Sequence, residues 1–434
     1  MTNTAPHQVG TRNGARPDTD PTADLAAFVT ASPTPYHAVA QAVRRLQAAG
    51  FTEQPEAGAW ERGPGARYLV RDGTLLAWSV PEGARTGTPL RVFAAHTDSP
   101  TLKVKPRPDG GAAGWRQIGV EVYGGALWNS WLDRDLGLAG RLALYDGSSV
   151  PVNVDRPLLR VPQLAVHLDR SVNQGLTLDA QQHLLPVWGL GTARDGDLVE
   201  FLAAEVGVAA HEVAAHDLVV HDLTPPTRLG EHGELFAAPR LDNLSSVHTG
   251  IGALLAADAP EVIPVFVGFD HEEVGSNSAS GAAGPLLETV LTHLAGGFDA
   301  RAAAFAGSRC LSVDVTHAAH PNYLGHHDPA HRSVPNAGPA LKVNANQRYA
   351  TDAPGAAAWA RACRDAGVPS QLFVAKNTIP CGSTVGPIMA TRLGIRTVDV
   401  GIPVLSMHSA RELCGVEDPG HLAAAARAFL TDPA

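Results

Sequence analysis

Residues 262–273 read VIPVFVGFDHEE. Eight apolar or small residues run without a break, and four ionisable side chains follow at once. A short apolar run bounded by polar residues reads as a strand buried on both faces. Strands of that kind belong to mainly parallel sheets covered by helices on either side. In open sheets of this type, sites form in the crevice beyond the carboxyl ends of the strands. Asp270, His271, Glu272 and Glu273 stand at such an end.

Working outward, RVFAA (91–95) is a second buried strand, followed by His96 and Asp98. CLSVDV (310–315) carries Asp314 at its end, ALKVNA (340–345) reads as a further strand, and RTVDVGI (396–402) precedes His408. Between them lie helical patterns: PYHAVAQAVRRLQAAG (35–50), LDNLSSVHTGIGALLAAD (241–258, opened by Asp242), AAAWARACRDAG (356–367) and STVGPIMATRLG (383–394). From about 107 to 235 the texture changes. Segments such as QIGVEVYGG, GRLALYDG and VPVNVD are short, alternating and broken by Gly, Asp and Pro, as in a β-rich module. The predicted architecture is a three-layer α/β/α domain with a largely parallel central sheet, built from residues 21–106 and 236–434. A β-rich insertion over 107–235 interrupts it, and a polar leader over 1–20 is expected to be disordered.

At 434 residues the chain exceeds the size of one growing core, in keeping with a domain plus insertion. Net charge is −10, which argues against nucleic acid or an anionic membrane as the main partner. No apolar run reaches the roughly 18–20 residues of a membrane helix, and the leader lacks the apolar stretch of a signal peptide. Four widely spaced cysteines (310, 363, 381, 414) read as free, buried thiols of a reducing cytosol. Of 33 basic residues only four are lysines, at 103, 105, 342 and 376.

The strand-end acids and histidines form a pattern. Any one of them alone reads as a cap or turn residue. Two imidazoles and several carboxylates converging on one crevice create a repulsion that cations relieve. Mixed His/carboxylate sets suit Zn, with Co or Mn as alternatives, over Mg or Ca. A carboxylate shared by two ions would give a co-catalytic pair about 3.5–4 Å apart. Adjacent Glu272 and Glu273 point in different directions, so one can ligate while the other stays free as a general base. Asp98, two residues after His96, is placed to hold the other ring nitrogen. HEVAAH (211–216) imitates a zinc-protease helix motif, but its histidines are five apart and fall on different helix faces. His211, His216 and His221 are therefore expected at the surface. GSTVGPI (382–388) lacks the Lys-Ser/Thr of a phosphate loop; its glycines permit a tight helix entry, or its helix N-terminus faces an anion.

These residues carry a family likeness. SPTPYHAV (32–39), AAHTDSPTLKVKP (94–106), VPQLAVHLDR (161–170), RLDNL (240–244), EEVGS (272–276), VDVTHAAHPNY (313–323), ALKVNANQRYATD (340–352), GSTVGPI (382–388) and MHSARELCG (407–415) occur in order. With them the chain resembles the aspartyl aminopeptidases, dinuclear metallopeptidases of the zinc-exopeptidase clan, over nearly everything after the leader. The resemblance implies that Asp242 bridges two metals, with His96 and Asp314 completing one site and Glu273 and His408 the other. It makes Glu272 the general base that activates water between the metals. It implies substrate contacts from His167, His317, Lys342 and Tyr349, with Lys342 pairing with the carboxylate of an acidic N-terminal residue. His167 lies in the insertion, which in such enzymes forms a dimerisation lid reaching a neighbour's active site. A dimer-based homo-oligomer, up to a tetrahedral dodecamer, is expected in the cytoplasm, acting on peptides with N-terminal Asp or Glu. The chain departs from the family pattern at Asp270-His271, where Asp-Asn is usual, and at His326-His327, where Lys-His is usual. His271 is expected beside or away from the metals and His326 and His327 on a loop near the mouth. His320 is open to a structural role. The rival readings are a neutral-residue aminopeptidase, a deacylase or carboxypeptidase on the same metals, and a non-catalytic oligomeric scaffold or metal buffer.

Overall fold

The computed structural model describes residues 22–433, so the leader expected over 1–20 lies outside the described residues. Ile263–Phe269 is a strand with every residue buried, at the heart of a nine-stranded sheet. It pairs in parallel with Leu90–His96, which pairs in parallel with Arg309–Val313, and that strand with Arg396–Gly401. Because these four strands share one direction, the residues after them gather at a single edge. Antiparallel neighbours flank the parallel block: Thr74–Val80 on one side and Ala340–Val343 on the other. Ala340 faces Gly401, so the strand bearing Lys342 starts at that same edge.

Helices cover both faces, as the alternation of buried strands and amphipathic helices predicts. On one side Phe28, Leu46, Val247, Trp359 and Phe429 pack against Phe93, Phe266 and Val398. On the other Leu287, Val290, Leu291, Val385 and Met389 pack against Val92, Val265 and Val267. Burying each large apolar side chain is worth about 1.5–3 kcal/mol, an upper bound because the unfolded chain already buries some of it. Local chemistry sets the helix ends. Thr34 accepts from the His37 N–H ahead of Pro35–Ala48, with proline in the first turn. Asp352 accepts from the Gly355 N–H at 2.7 Å to open Ala353–Ala366, and Gly367, at φ 67°, closes it. The helix Val385–Leu393 follows GSTV: Thr384 accepts from Gly386 N–H and donates to the buried carboxylate of Asp399. The anion against this helix start is thus the protein's own. A Cβ on Gly386 would lie 2.5 Å from that carboxylate.

A six-stranded antiparallel sheet with its own core spans Thr101–Asp222. Arg141 joins it to the central sheet, pairing with Asp217 within its own sheet and with Asp72 in the turn between Gly65–Arg71 and Thr74–Val80. HEVAAH forms no α-helix: a short turn at Ala210–Glu212 leads into the strand Val213–Asp222. Its histidines correct the expectation of three surface residues. His211 is exposed and His216 half-buried, but His221 is 4% exposed. The strand is an inner one of its sheet, His221 lies in register opposite Gly137, and its ring fills the space that glycine leaves, where a Cβ would come within 2.5 Å of Nε2. A third sheet, of five short strands including Leu235–Ala238 and Glu412–Gly415, went unseen in the sequence. The four cysteines are free; Cys381 is half-buried and the others buried. Among the described residues, no helix is long and apolar enough to cross a membrane.

Candidate metal centre and active-site cleft

Of the acids and imidazoles expected at the strand ends, His96, Asp242, Glu272, Glu273, Asp314 and His408 line one crevice, while Asp98, Asp270 and His271 do not. His96 is the last residue of its strand, and Asp314 follows Arg309–Val313 with its N–H donated to Val400. Asp242 stands second in the helix Leu241–Leu255, Glu272 and Glu273 lie in a single tight turn after Phe269, and His408 is on the loop after Pro403–Leu405. The two oxygens of Asp242 face different imidazoles. Oδ1 is 3.2 Å from His96 Nε2, and Oδ2 is 3.3 Å from His408 Nε2. His96 Nε2 is also 3.6 Å from Asp314 Oδ1, and His408 Nε2 is 3.5 Å from Glu273 Oε2. Donor atoms of His96, Asp242 and Glu273 lie within 4.8 Å of one another, close enough to hold one ion. Among the described residues, the Glu272 carboxylate joins no ion pair or hydrogen bond; it lines the cleft free.

The backbone frame behind this cluster is built by two buried carboxylates. Asp98 accepts from the N–H groups of Glu272 and Glu273, both at 3.1 Å, and from the Tyr123 hydroxyl at 2.8 Å. His96 Nδ1 meets the Asp98 carbonyl at 3.0 Å and its carboxylate only at 3.4 Å, so the carbonyl does most of the orienting. Glu412 accepts from the N–H of Asp242 on one oxygen and of His408 on the other, each at 2.8 Å. The ring of His408 points Nδ1 at the Gly125 carbonyl, 3.1 Å away, leaving Nε2 for the cluster. The sequence reading missed Glu412, Tyr123 and Gly125. Glu412 was visible in principle, as an acid inside the quoted MHSARELCG; a backbone carbonyl leaves no mark in a sequence.

Electrostatically the crevice is overloaded with acid. Burial opposes charge on His96, yet Asp242, Asp314 and Asp98 outweigh it and hold the ring well above the usual imidazole range. Burial likewise opposes charge on His408, but Asp242 and Glu273 push it up to about 10. Burial first, then neighbouring acids, raises Glu273 well above the usual carboxylate range and Glu272 to about 7. Among the described residues, Asp242 Oδ1 and Glu273 Oε1 are buried with no hydrogen-bond donor. Orphaned oxygens, crowded carboxylates and imidazoles with the far nitrogen tied back suit a divalent cation with mixed N/O ligands. Zinc fits this donor set.

The cleft in front, about 320 Å³, is lined also by His317, Lys342, Tyr349, Ser383 and Met407. Lys342 is only 2% exposed; its Nζ lies 4.0 Å from Asp314 Oδ2 and 5.3 Å from the Tyr349 ring centre. His167 stands exposed on the loop between Ser149–Leu159 and Val187–Leu190 and does not line this cleft. His271 is turned toward Ser278, 2.9 Å from its hydroxyl. His320 meets the Tyr323 ring edge to face and accepts from the Asn322 N–H. His326 and His327 line an adjoining pocket that shares His317, Tyr349 and Gly382 with the cleft.

The sequence profile described as Aminopeptidase I zinc metalloprotease (M18) matches residues 28–430. The chain belongs to the M18 family. It is accordingly a zinc-dependent aminopeptidase, a hydrolase. A probable M18 family aminopeptidase 2 of Streptomyces avermitilis is 58% identical over 428 residues, 96% of this chain and 99% of that one. The protein of the same name from Mycobacterium tuberculosis is 47% identical over 425 residues, 94% and 97% of the two chains. The Ape4 chain in a cryo-EM structure of the Ape4 and Nbr1 complex superposes with TM-score 0.91 at 35% identity, covering 95% of this chain and 85% of that one. The S. cerevisiae mApe1 dodecamer superposes with TM-score 0.82 at 29% identity, covering 94% and 95%. M18 membership agrees with the α/β fold and with a donor set suited to zinc.

Proposed function

We propose that this M18 aminopeptidase removes acidic residues, Asp or Glu, from the N-termini of peptides, at a centre for two zinc ions. Asp242 bridges, His96 and Asp314 complete one site, and Glu273 and His408 the other. The observation that carries the two-site reading is Asp242, each of whose oxygens faces a different imidazole at 3.2 and 3.3 Å. When bound there, zinc supplies Lewis acidity toward water and the scissile carbonyl. Glu272, free and facing the cleft, accepts the proton of the attacking water and delivers one to the leaving amine. Tyr349 and His317 border the space where the N-terminal residue sits, and Lys342 supplies the only ammonium in that lining. The six-stranded sheet acts as a lid and dimerisation module, and its exposed His167 serves the cleft of a second subunit in a homo-oligomer. The dodecameric neighbour supports the oligomer, and four free thiols support a cytoplasmic setting.

A second reading has one observation in its favour. Lys342 is buried beside Asp314, so its charge is partly spent inside the protein, as a neutral-residue aminopeptidase would require. Turnover of Glu-, Asp- and Leu-amides by the purified protein, before and after chelation and zinc readdition, separates the two. Faster kcat/KM on Leu-amide rejects the acidic preference; activity that survives chelation rejects the metal centre. Light scattering of the same sample reads the oligomer, and a monomer would remove the role given to His167.

A further inference from the structure

The metal cluster draws its ligands from chain segments far apart in sequence, and Glu412 ties two of them together. This buried residue opens the strand Glu412–Gly415, in register opposite Ala238, so it lies beside the strand that leads into Asp242. Oε2 takes the Asp242 N–H and Oε1 the His408 N–H, both at 2.8 Å. Neither donor has regular backbone angles. Asp242 has non-helical backbone angles although it lies in a helix, and His408 sits at φ 66°, in the left-handed region that is uncommon for residues other than glycine. Two N–H donors on two oxygens of one side chain require a carboxylate. A carboxamide of the same shape would turn its NH2 toward one of the donors and leave that N–H unpaired, at about 1–3 kcal/mol.

We propose that Glu412 is a positioning residue of the metal centre: by gripping the backbone of Asp242 and His408 together, it sets the spacing of their side chains. It thereby controls how tightly the His408 half holds its divalent cation. The inference rests on the reading of Asp242 and His408 as ligands. Glu412 touches neither cation nor substrate; it acts through the two residues it holds, while the Gly125 carbonyl fixes the ring of His408 from the opposite side. Asp98 does the equivalent for Glu272 and Glu273, so Glu273 and His408, the two residues that complete one site, both hang their main chain on a buried acid.

The test is stepwise titration of the chelated full-length protein with zinc and, separately, with cobalt(II), whose visible absorption reports ligand geometry. Glu412→Gln should weaken one of the two binding steps about 10–100-fold, shift the cobalt bands and lower kcat more than KM. Glu412→Asp keeps the charge but reaches one N–H at a time, so it should fall between wild type and Gln; it also serves if Gln fails to fold. His408→Ala is the control for the underlying reading. If it too leaves both steps intact, the ligand assignment is wrong. If it abolishes one step while both Glu412 variants bind as wild type with unshifted bands, the positioning role is overturned. Equal weakening of both steps, tracking a loss of thermal stability, would also overturn it, since a general structural role predicts that.

Discussion

Two adjacent glutamates show how little residue identity says about role. Both hang their N–H groups on Asp98, yet the Glu273 carboxylate turns inward to His408 while that of Glu272 faces the cleft unpaired. The turn that holds them, opened by His271 at φ 64° and closed by Gly275, separates the two side chains. Glu272→Gln should therefore retain zinc but lose about 10³-fold or more in kcat, with the metal content measured on the same sample. Activity within tenfold of wild type would remove the general-base assignment. His96, Asp314 and the glutamate pair were legible because they sit at or just past the end of a buried strand, and Asp242 because it opens an amphipathic helix. The neighbouring histidines were harder to place. His271 is drawn off by Ser278, seven residues on, through the turn that joins them, and His221 is buried against Gly137 of a distant strand.

Elements differ in how strongly they announce themselves. Ile263–Phe269 and Leu241–Leu255 are long enough to show their period, and the structure places them within two or three residues of the expected bounds. The five-stranded sheet is built from strands of two to four residues, too short for any alternation to register, yet it supplies Glu412. Within Leu241–Leu255, Gly250 permits close approach to the sheet: a Cβ there would lie 2.5 Å from the Phe93 ring and 2.7 Å from that of Phe266. Gly250→Val gains the helix propensity that glycine lacks but must displace both rings, and overpacking of that kind costs about 1–3 kcal/mol. A lowered urea midpoint at unchanged slope is expected. Because Asp242 stands in the first turn of the same helix, zinc affinity should fall with it. A midpoint equal to wild type would mean that helix and sheet are not so closely apposed.

On the scale of the molecule, two imidazoles, half-buried His37 on the helix Pro35–Ala48 and buried His221, link stability to pH. Burial, then the Arg240 guanidinium, pushes His37 down to about 4 and His221 to about 3. Both are neutral when folded and protonate near 6.5 when unfolded, so the unfolded chain binds more protons below that pH. Their contribution is whole above about 6.5 and is lost as pH falls toward 4 and then 3, approaching about 1.4 kcal/mol per pH unit for each ring. The raised acids of the cleft work in the opposite direction over the same window, so the contribution of His221 is read as a difference: between pH 7.5 and 5 the Tm of His221→Asn should gain on that of wild type as pH falls, and parallel curves would exclude His221 as a source.

The amino-acid sequence by itself determined which segments are buried strands, which are helices, and which acids and imidazoles follow them, because burial pattern and strand-end chemistry are local. Only the tertiary structure decided that the two oxygens of Asp242 face two different imidazoles. It alone turned Glu272 into the cleft and Glu273 away, and set Glu412 behind the backbone of two distant residues. Those distances arise where chain segments cross, and main-chain N–H groups, common to every residue but proline, bear no side-chain signature that a sequence could display.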